Sequence, residues 1–122
     1  MKVYKSYEST NVYEAAVERI EWLFDEFGDN LVVNFSGGKD STICLHLCLE
    51  VARRRGALPL KVMFLDQEAE WRMVIDYIRE TFASDEIEAH WLQIPIQISN
   101  STSDKDDWLW CWEEGREWMR PK

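Results

Sequence analysis

The sequence predicts an α/β fold: a parallel sheet with helices on both faces, in three layers. Three observations carry this expectation. Two short apolar runs, at residues 31–35 and 61–65, do not alternate with polar residues, which is how strands covered on both faces read. The stretch between them is helix-like and long enough for the crossover that parallel strands need. The first run also stops at Gly37-Gly38 and passes directly into that helix-like stretch. With 122 residues the chain should form one domain over 1–122, large enough for its own core but only marginally roomy for a full doubly wound sheet. A shortened form of the fold is therefore expected.

Taken in order, Asn11-Val12-Tyr13-Glu14 has the form of a capping box, and Val12, Ala16, Ile20, Leu23 and Phe27 follow at helical spacing until Gly28. Residues 31–35 make the first strand, read as central because it does not alternate. Residues 40–55 make a helix whose Ile43, Leu45, Leu47, Leu49 and Val51 cover nearly every side, so it should lie against the sheet. Gly56 and Pro59 end it. Cys44 and Cys48 sit one turn apart on this helix and read as small core residues, with His46 as a structural residue among them. Residues 61–65 form the second strand, and a helix over 71–82 places Trp71, Val74, Ile75, Ile78 and Phe82 on one face. A third strand, over 87–94, carries His90 and stops at Pro95. Residues 97–107 are polar and read as a loop, a candidate lid. Residues 108–122 form an aromatic terminal segment whose Trp108, Trp110, Trp112 and Trp118 either cover an exposed sheet face or offer a stacking platform to a base or a protein partner.

The formal net charge is −9, with 23 acidic against 14 basic residues, which excludes a non-specific binder of nucleic acid or of an anionic membrane. The one basic run, Arg53-Arg54-Arg55, falls at a helix C-terminus, where it offsets the dipole. No apolar run approaches the ~20 residues that span a bilayer, and no signal pattern opens the chain. Three cysteines without framework spacing fit a reducing compartment, so a cytoplasmic location is expected.

The chemistry concentrates at Ser36-Gly37-Gly38-Lys39-Asp40-Ser41. Two glycines allow a tight turn and leave amides with no Cβ before them, and the helix start adds free N–H groups and the positive end of its dipole. Lys39 adds a mobile cation, and Ser36 and Ser41 add hydroxyls. This is a phosphate cradle, although neither a Walker A loop, since Val33 stands where its first glycine would, nor a G-x-G-x-x-G loop. A plain Gly-Gly turn is the bland alternative, and the lysine, acid and serines around it argue against that. Beyond the second strand, Asp66, Glu68 and Glu70 would point one way if the chain stayed extended, or Glu68 and Glu70 would sit in the first turn of the next helix.

The Ser36–Ser41 segment resembles the SGG-x-DS pyrophosphate loop of the ATP pyrophosphatase superfamily, and is most similar to its phosphoadenosine phosphosulfate (PAPS) reductase branch. Met63-Phe64-Leu65-Asp66-Gln67-Glu68-Ala69-Glu70-Trp71 resembles the strand-then-acid segment of that branch. The opening from Val3-Tyr4 and the closing Trp118-Met119-Arg120-Pro121-Lys122 are similar to bacterial and prophage members of the immunoglobulin-binding regulator A type. The resemblance implies the adenine nucleotide alpha hydrolase-like (Rossmann-like) fold and ATP or a PAPS-type nucleotide as ligand. It implies that Gly37, Gly38, Lys39, Asp40 and Ser41 hold the phosphates or phosphosulfate, with Ser36 at the loop entry and Phe35 and Leu65 flanking the adenine. Lys39, Asp40 and Asp66 become the catalytic candidates, and Asp40 either contacts Mg²⁺ or caps the helix. The implied chemistry acts at the α-phosphate or the phosphosulfate, within sulfur metabolism. The alternative is an inactive nucleotide-binding regulatory or assembly module working with a protein partner or as a homo-oligomer. The chain lacks the C-terminal Glu-Cys-Gly-Leu-His-type segment that carries the reductase nucleophile, leaving Cys111 as the remaining candidate thiol.

Overall fold

The computed structural model describes residue 7 and residues 9–122, so the Val3-Tyr4 end of the opening lies outside the described residues. The first helix, α1 (Val12–Phe27), begins at the expected capping box, with Asn11 and Glu14 each bonding the other's backbone, and ends at Gly28. β1 (Val33–Asn34), α2 (Lys39–Arg55), β2 (Leu60–Leu65), α3 (Arg72–Phe82) and β3 (Ile87–Leu92) then alternate. The three strands are parallel in the order β1-β2-β3, with Val33 beside Val62 and Leu60 beside Ile87. The α/β class and the parallel sheet are as expected, in the shortened form.

Buried residues of α1, α2, α3 and the three strands form one core, including Ile20, Phe24, Leu45, Val51, Phe64 and Ile78. Leu60, Val62 and Phe64 of β2 point into it, whereas Lys61 and Met63 on the opposite face are half-buried and Leu65 is exposed. The Arg53-Arg54-Arg55 run is committed to carboxylates: Arg53 to Glu86 at 2.6 Å, Arg54 to Glu21 at 3.1 Å, and Arg55 to Glu21 at 2.7 Å and to Asp25.

Several expectations need correction. The strand at residues 31–35 is not central: β1 has only two residues and lies at the sheet edge, with β2 in the middle. An apolar run reports burial of side chains but not which backbone edges are paired. Helix α2 is not buried all round, since Ile43 is 54% exposed and Cys44 and His46 are exposed too. Trp71 is the cap preceding α3 rather than part of its buried face, and it is 82% exposed. The polar segment is a shorter loop than expected, because β4 (Ile96–Ser99) pairs antiparallel with β5 (Trp108–Cys111). Residues 100–107 close this hairpin through the Asn100 N–H to the Asp107 carbonyl at 2.8 Å.

Candidate functional site

The phosphate-type loop follows β1, whose end is tied to β2 by the Phe35 N–H bonding the Met63 carbonyl at 2.8 Å. The two glycines have different reasons to be glycine. Gly37 lies at φ +72°, and a Cβ there would meet Ile78 Cγ1 and Val74 Cγ1 at 3.0 Å, so its bareness lets the loop press onto α3. Gly38 has an ordinary φ of −81°, and a Cβ would meet only Ser36 Oγ at 3.4 Å. Neither its φ nor the space around a Cβ requires a glycine here.

Gly38 is also the cap residue of α2. Its carbonyl accepts from the Thr42 N–H at 3.0 Å, from Thr42 Oγ1 at 2.8 Å and from Ser41 Oγ at 3.0 Å. Ser41 Oγ also lies 3.0 Å from Ser36 Oγ and accepts from the Ser36 N–H at 3.3 Å, which fixes the loop entry against the first helical turn. The N–H groups of Lys39, Asp40 and Ser41 precede the first intrahelical bond and point out of the helix start. Asp40 does not cap the helix, contrary to one of its expected roles: it stands in the first turn, exposed, with Lys39 Nζ 3.5 Å from its carboxylate. Among the described residues no three His, Cys, Asp or Glu side chains come together as a metal cage. Asp40 therefore fits Mg²⁺ only as a single carboxylate beside phosphate oxygens, which is how Mg²⁺ is commonly held.

Beside the loop, at the carboxyl ends of β1 and β2, lies a cleft of about 350 Å³ lined by residues 34–36 and 63–65 with Gln67 and Glu70. That is the size range of a small-ligand site. Phe35, Ser36 and Leu65 thus border one cleft next to the cradle. The Phe35 ring itself is buried against Tyr77 and Phe82, so its backbone faces the cleft.

Asp66 is elsewhere. Its carboxylate is fully buried and accepts from Arg120 Nη2, Trp91 Nε1 at 2.9 Å, Gln93 Nε2 at 3.2 Å and the Glu68 N–H at 2.8 Å. Burial pushes this carboxyl up, but the hydrogen bonds, that of Arg120 foremost, outweigh it and hold the group below its ordinary value. Glu68 is neither extended nor in a helical turn. It sits at φ +60°, buried, and accepts from the Trp112 N–H at 2.5 Å and the Met119 N–H at 3.0 Å. Arg120 reaches the Glu68 carbonyl as well and lies over the Trp112 ring at 5.2 Å, while Trp112 Nε1 bonds the Asp66 carbonyl at 2.8 Å. The closing segment is therefore strapped onto the β2–α3 connection and not laid over a sheet face. Glu70 is not in the first turn of α3, which begins at Arg72.

The four tail tryptophans divide. Trp112 is buried and packs edge-on against Trp118, whereas Trp108 and Trp110, two apart on β5, are 54% and 51% exposed. Arg120 and Trp112 as clamp residues were not foreseen; an arginine following buried-type tryptophans, with an acid at a strand end to receive it, was the available signal. Cys111 is buried, and burial followed by the charges of Glu68 and Asp66 pushes its thiol up. Burial, then the neighbouring Cys44, pushes Cys48 up to about 12. Cys44 is exposed, which corrects its expected place in the core. His46 and His90 are exposed, and His90 pairs with Glu88 at 3.0 Å.

A Gly-Gly loop opening a helix at the carboxyl edge of a parallel sheet, next to a cleft of small-ligand size, defines a Rossmann-like α/β domain. The chain belongs to the phosphoadenosine phosphosulfate reductase domain family, whose pattern matches residues 30–120. It is 38% identical over 123 residues to the Escherichia coli (strain K12) protein described as "Uncharacterized protein YbdN", covering 98% of this chain and 30% of that protein. No helix among the described residues is long and apolar enough to cross a membrane.

Proposed function

We propose that this domain binds an adenine nucleotide, with its phosphates on the amides of residues 37–41 and its nucleoside in the adjoining cleft. The observation that carries this reading is Gly38, where the fold leaves space for a side chain and a phosphate would need it empty. Lys39, exposed at the helix start, supplies a cation to charge developing on a phosphate or leaving oxygen. Asp40 is the residue that would hold Mg²⁺, which would supply charge neutralisation for the phosphates. Chemistry at the α-phosphate or phosphosulfate would run through these two residues. Asp66 belongs to the clamp behind the cleft, and its role is to fix the cleft wall.

Sulfonucleotide reduction requires a thiolate, and Cys111 is buried beside two carboxylates that disfavour one. That observation favours the second reading, in which this chain is the nucleotide-binding part of a larger machine and a partner, a second copy or another segment completes the reaction. A regulatory role of the immunoglobulin-binding regulator A kind is one form of it. Calorimetric titration with ATP, AMP, adenosine phosphosulfate and PAPS, with and without Mg²⁺, tests the reading. Binding of at least one is expected, without thioredoxin-dependent sulfite release. Failure of all four to bind refutes it, and sulfite release lost in Cys111→Ser restores the reductase.

A further inference from the structure

The cleft beside the cradle holds one charged side chain, Glu70, and no cation among the described residues that line it. Its polar groups are otherwise the amides of Asn34 and Gln67 and the Ser36 hydroxyl. Glu70 makes no side-chain hydrogen bond or ion pair among the described residues, although it is half-buried. Its position is imposed from behind: Glu68 is anchored to the Trp112 and Met119 amides, and the Glu70 N–H bonds the Glu68 carbonyl at 2.8 Å.

Among the described residues, Arg120 is bound to Asp66 and the Glu68 carbonyl, and Arg72, in the first turn of α3, lies 3.6 Å from Asp76 with its side chain in solvent and does not line the cleft. Lys39 stands at the start of α2, where the 5′-phosphates would be. A free carboxylate at the rim of a nucleoside cleft accepts hydrogen bonds from ribose hydroxyls, and it repels a phosphate placed on either of them.

Resting on the nucleotide reading above, we propose that Glu70 makes this a site for nucleotides with an unphosphorylated ribose, of the AMP, ATP or adenylyl-sulfate class, and against 3′-phosphorylated ones. A site built for a 3′-phosphate presents cations or free amides to receive it, and the one charge that this cleft presents is a carboxylate, which repels it.

The test is calorimetric binding of AMP and of adenosine 3′,5′-bisphosphate to the whole chain at fixed ionic strength, in the wild type, Glu70→Gln and Glu70→Lys. The wild type should bind AMP at least about tenfold tighter. Glu70→Gln should shrink that ratio, and Glu70→Lys should reverse it. Equal or tighter binding of the bisphosphate by the wild type, or a ratio that neither variant moves, overturns the assignment while leaving the nucleotide reading intact. Absence of binding by both ligands overturns the assignment, and failure of ATP, adenosine phosphosulfate and PAPS to bind as well overturns the nucleotide reading with it.

Discussion

Removing the cation from the buried clamp should be strongly destabilising. In Arg120→Met the aliphatic bulk over Trp112 is kept, but the Asp66 carboxylate loses its one positive partner while staying fully buried. Breaking such a pair from one side costs about 3–5 kcal/mol. Hydrogen bonds from Trp91, Gln93 and the Glu68 N–H remain, and the Arg120 side chain is 14% exposed, so the lower end, about 3 kcal/mol, applies here. Against a domain stability of about 5–15 kcal/mol that is a large fraction. Urea unfolding followed by circular dichroism measures it. Because the folded Asp66 carboxyl lies below its ordinary value, its contribution is present above the ordinary carboxylate range and is lost as pH falls through the folded value. Wild type and variant should therefore converge in acid. The double variant Asp66→Asn/Arg120→Met, which removes both members of the ion pair and leaves the buried Glu68 on its own amide partners, should recover part of the loss. A single-variant cost below about 1 kcal/mol, or a double variant less stable than Arg120→Met, would refute this account of the clamp.

The two loop glycines should respond oppositely. Gly37→Ala meets Ile78 and Val74 and a left-handed φ, for a loss of roughly 2–4 kcal/mol in urea unfolding, whereas Gly38→Ala should cost about 1 kcal/mol or less. Similar costs at both positions would contradict the division of roles between them. Titration of the native protein with a thiol reagent should modify Cys44 quickly and leave Cys48 and Cys111 until unfolding, because only Cys44 is exposed and the other two thiols are pushed up. Three fast thiols would show that the burial is wrong. Cys48→Ala should cost about 1 kcal/mol and Cys44→Ala close to nothing, neither altering nucleotide affinity measured by calorimetry.

Much of the scaffold was legible because its signals are local. The Asn11 and Glu14 capping box, the Gly28 and Gly56 helix ends and the strand–loop–helix at residues 33–41 each depend on neighbours in sequence. What escaped depends on partners far along the chain. Asp66 at a strand end reads as a catalytic acid until Arg120 arrives to bury it, and that pairing joins positions 54 residues apart. The edge position of β1 was hidden for a related reason: apolar residues record side-chain burial and are silent on which backbone edge is paired. The hairpin of β4 and β5 was missed because its first strand begins inside a run that turns polar, and its register is set by cross-strand pairing such as Gln97 with Trp110. Helix composition places Cys44 in the core, yet α2 leaves that side open.

The central claim is that nucleotide phosphates rest on the α2 helix start. Amide chemical shifts followed by two-dimensional NMR during titration with AMP or ATP test it most directly. The largest saturable shifts should fall on Gly38, Lys39, Asp40 and Ser41, with smaller ones at Leu65 and Gln67 along the cleft, and Gly38→Val should abolish them while the protein stays folded, with a stability loss of about 1–2 kcal/mol from the weakened cap. Saturable binding that leaves those amides unmoved and shifts the exposed Trp108 and Trp110 hairpin instead would contradict it.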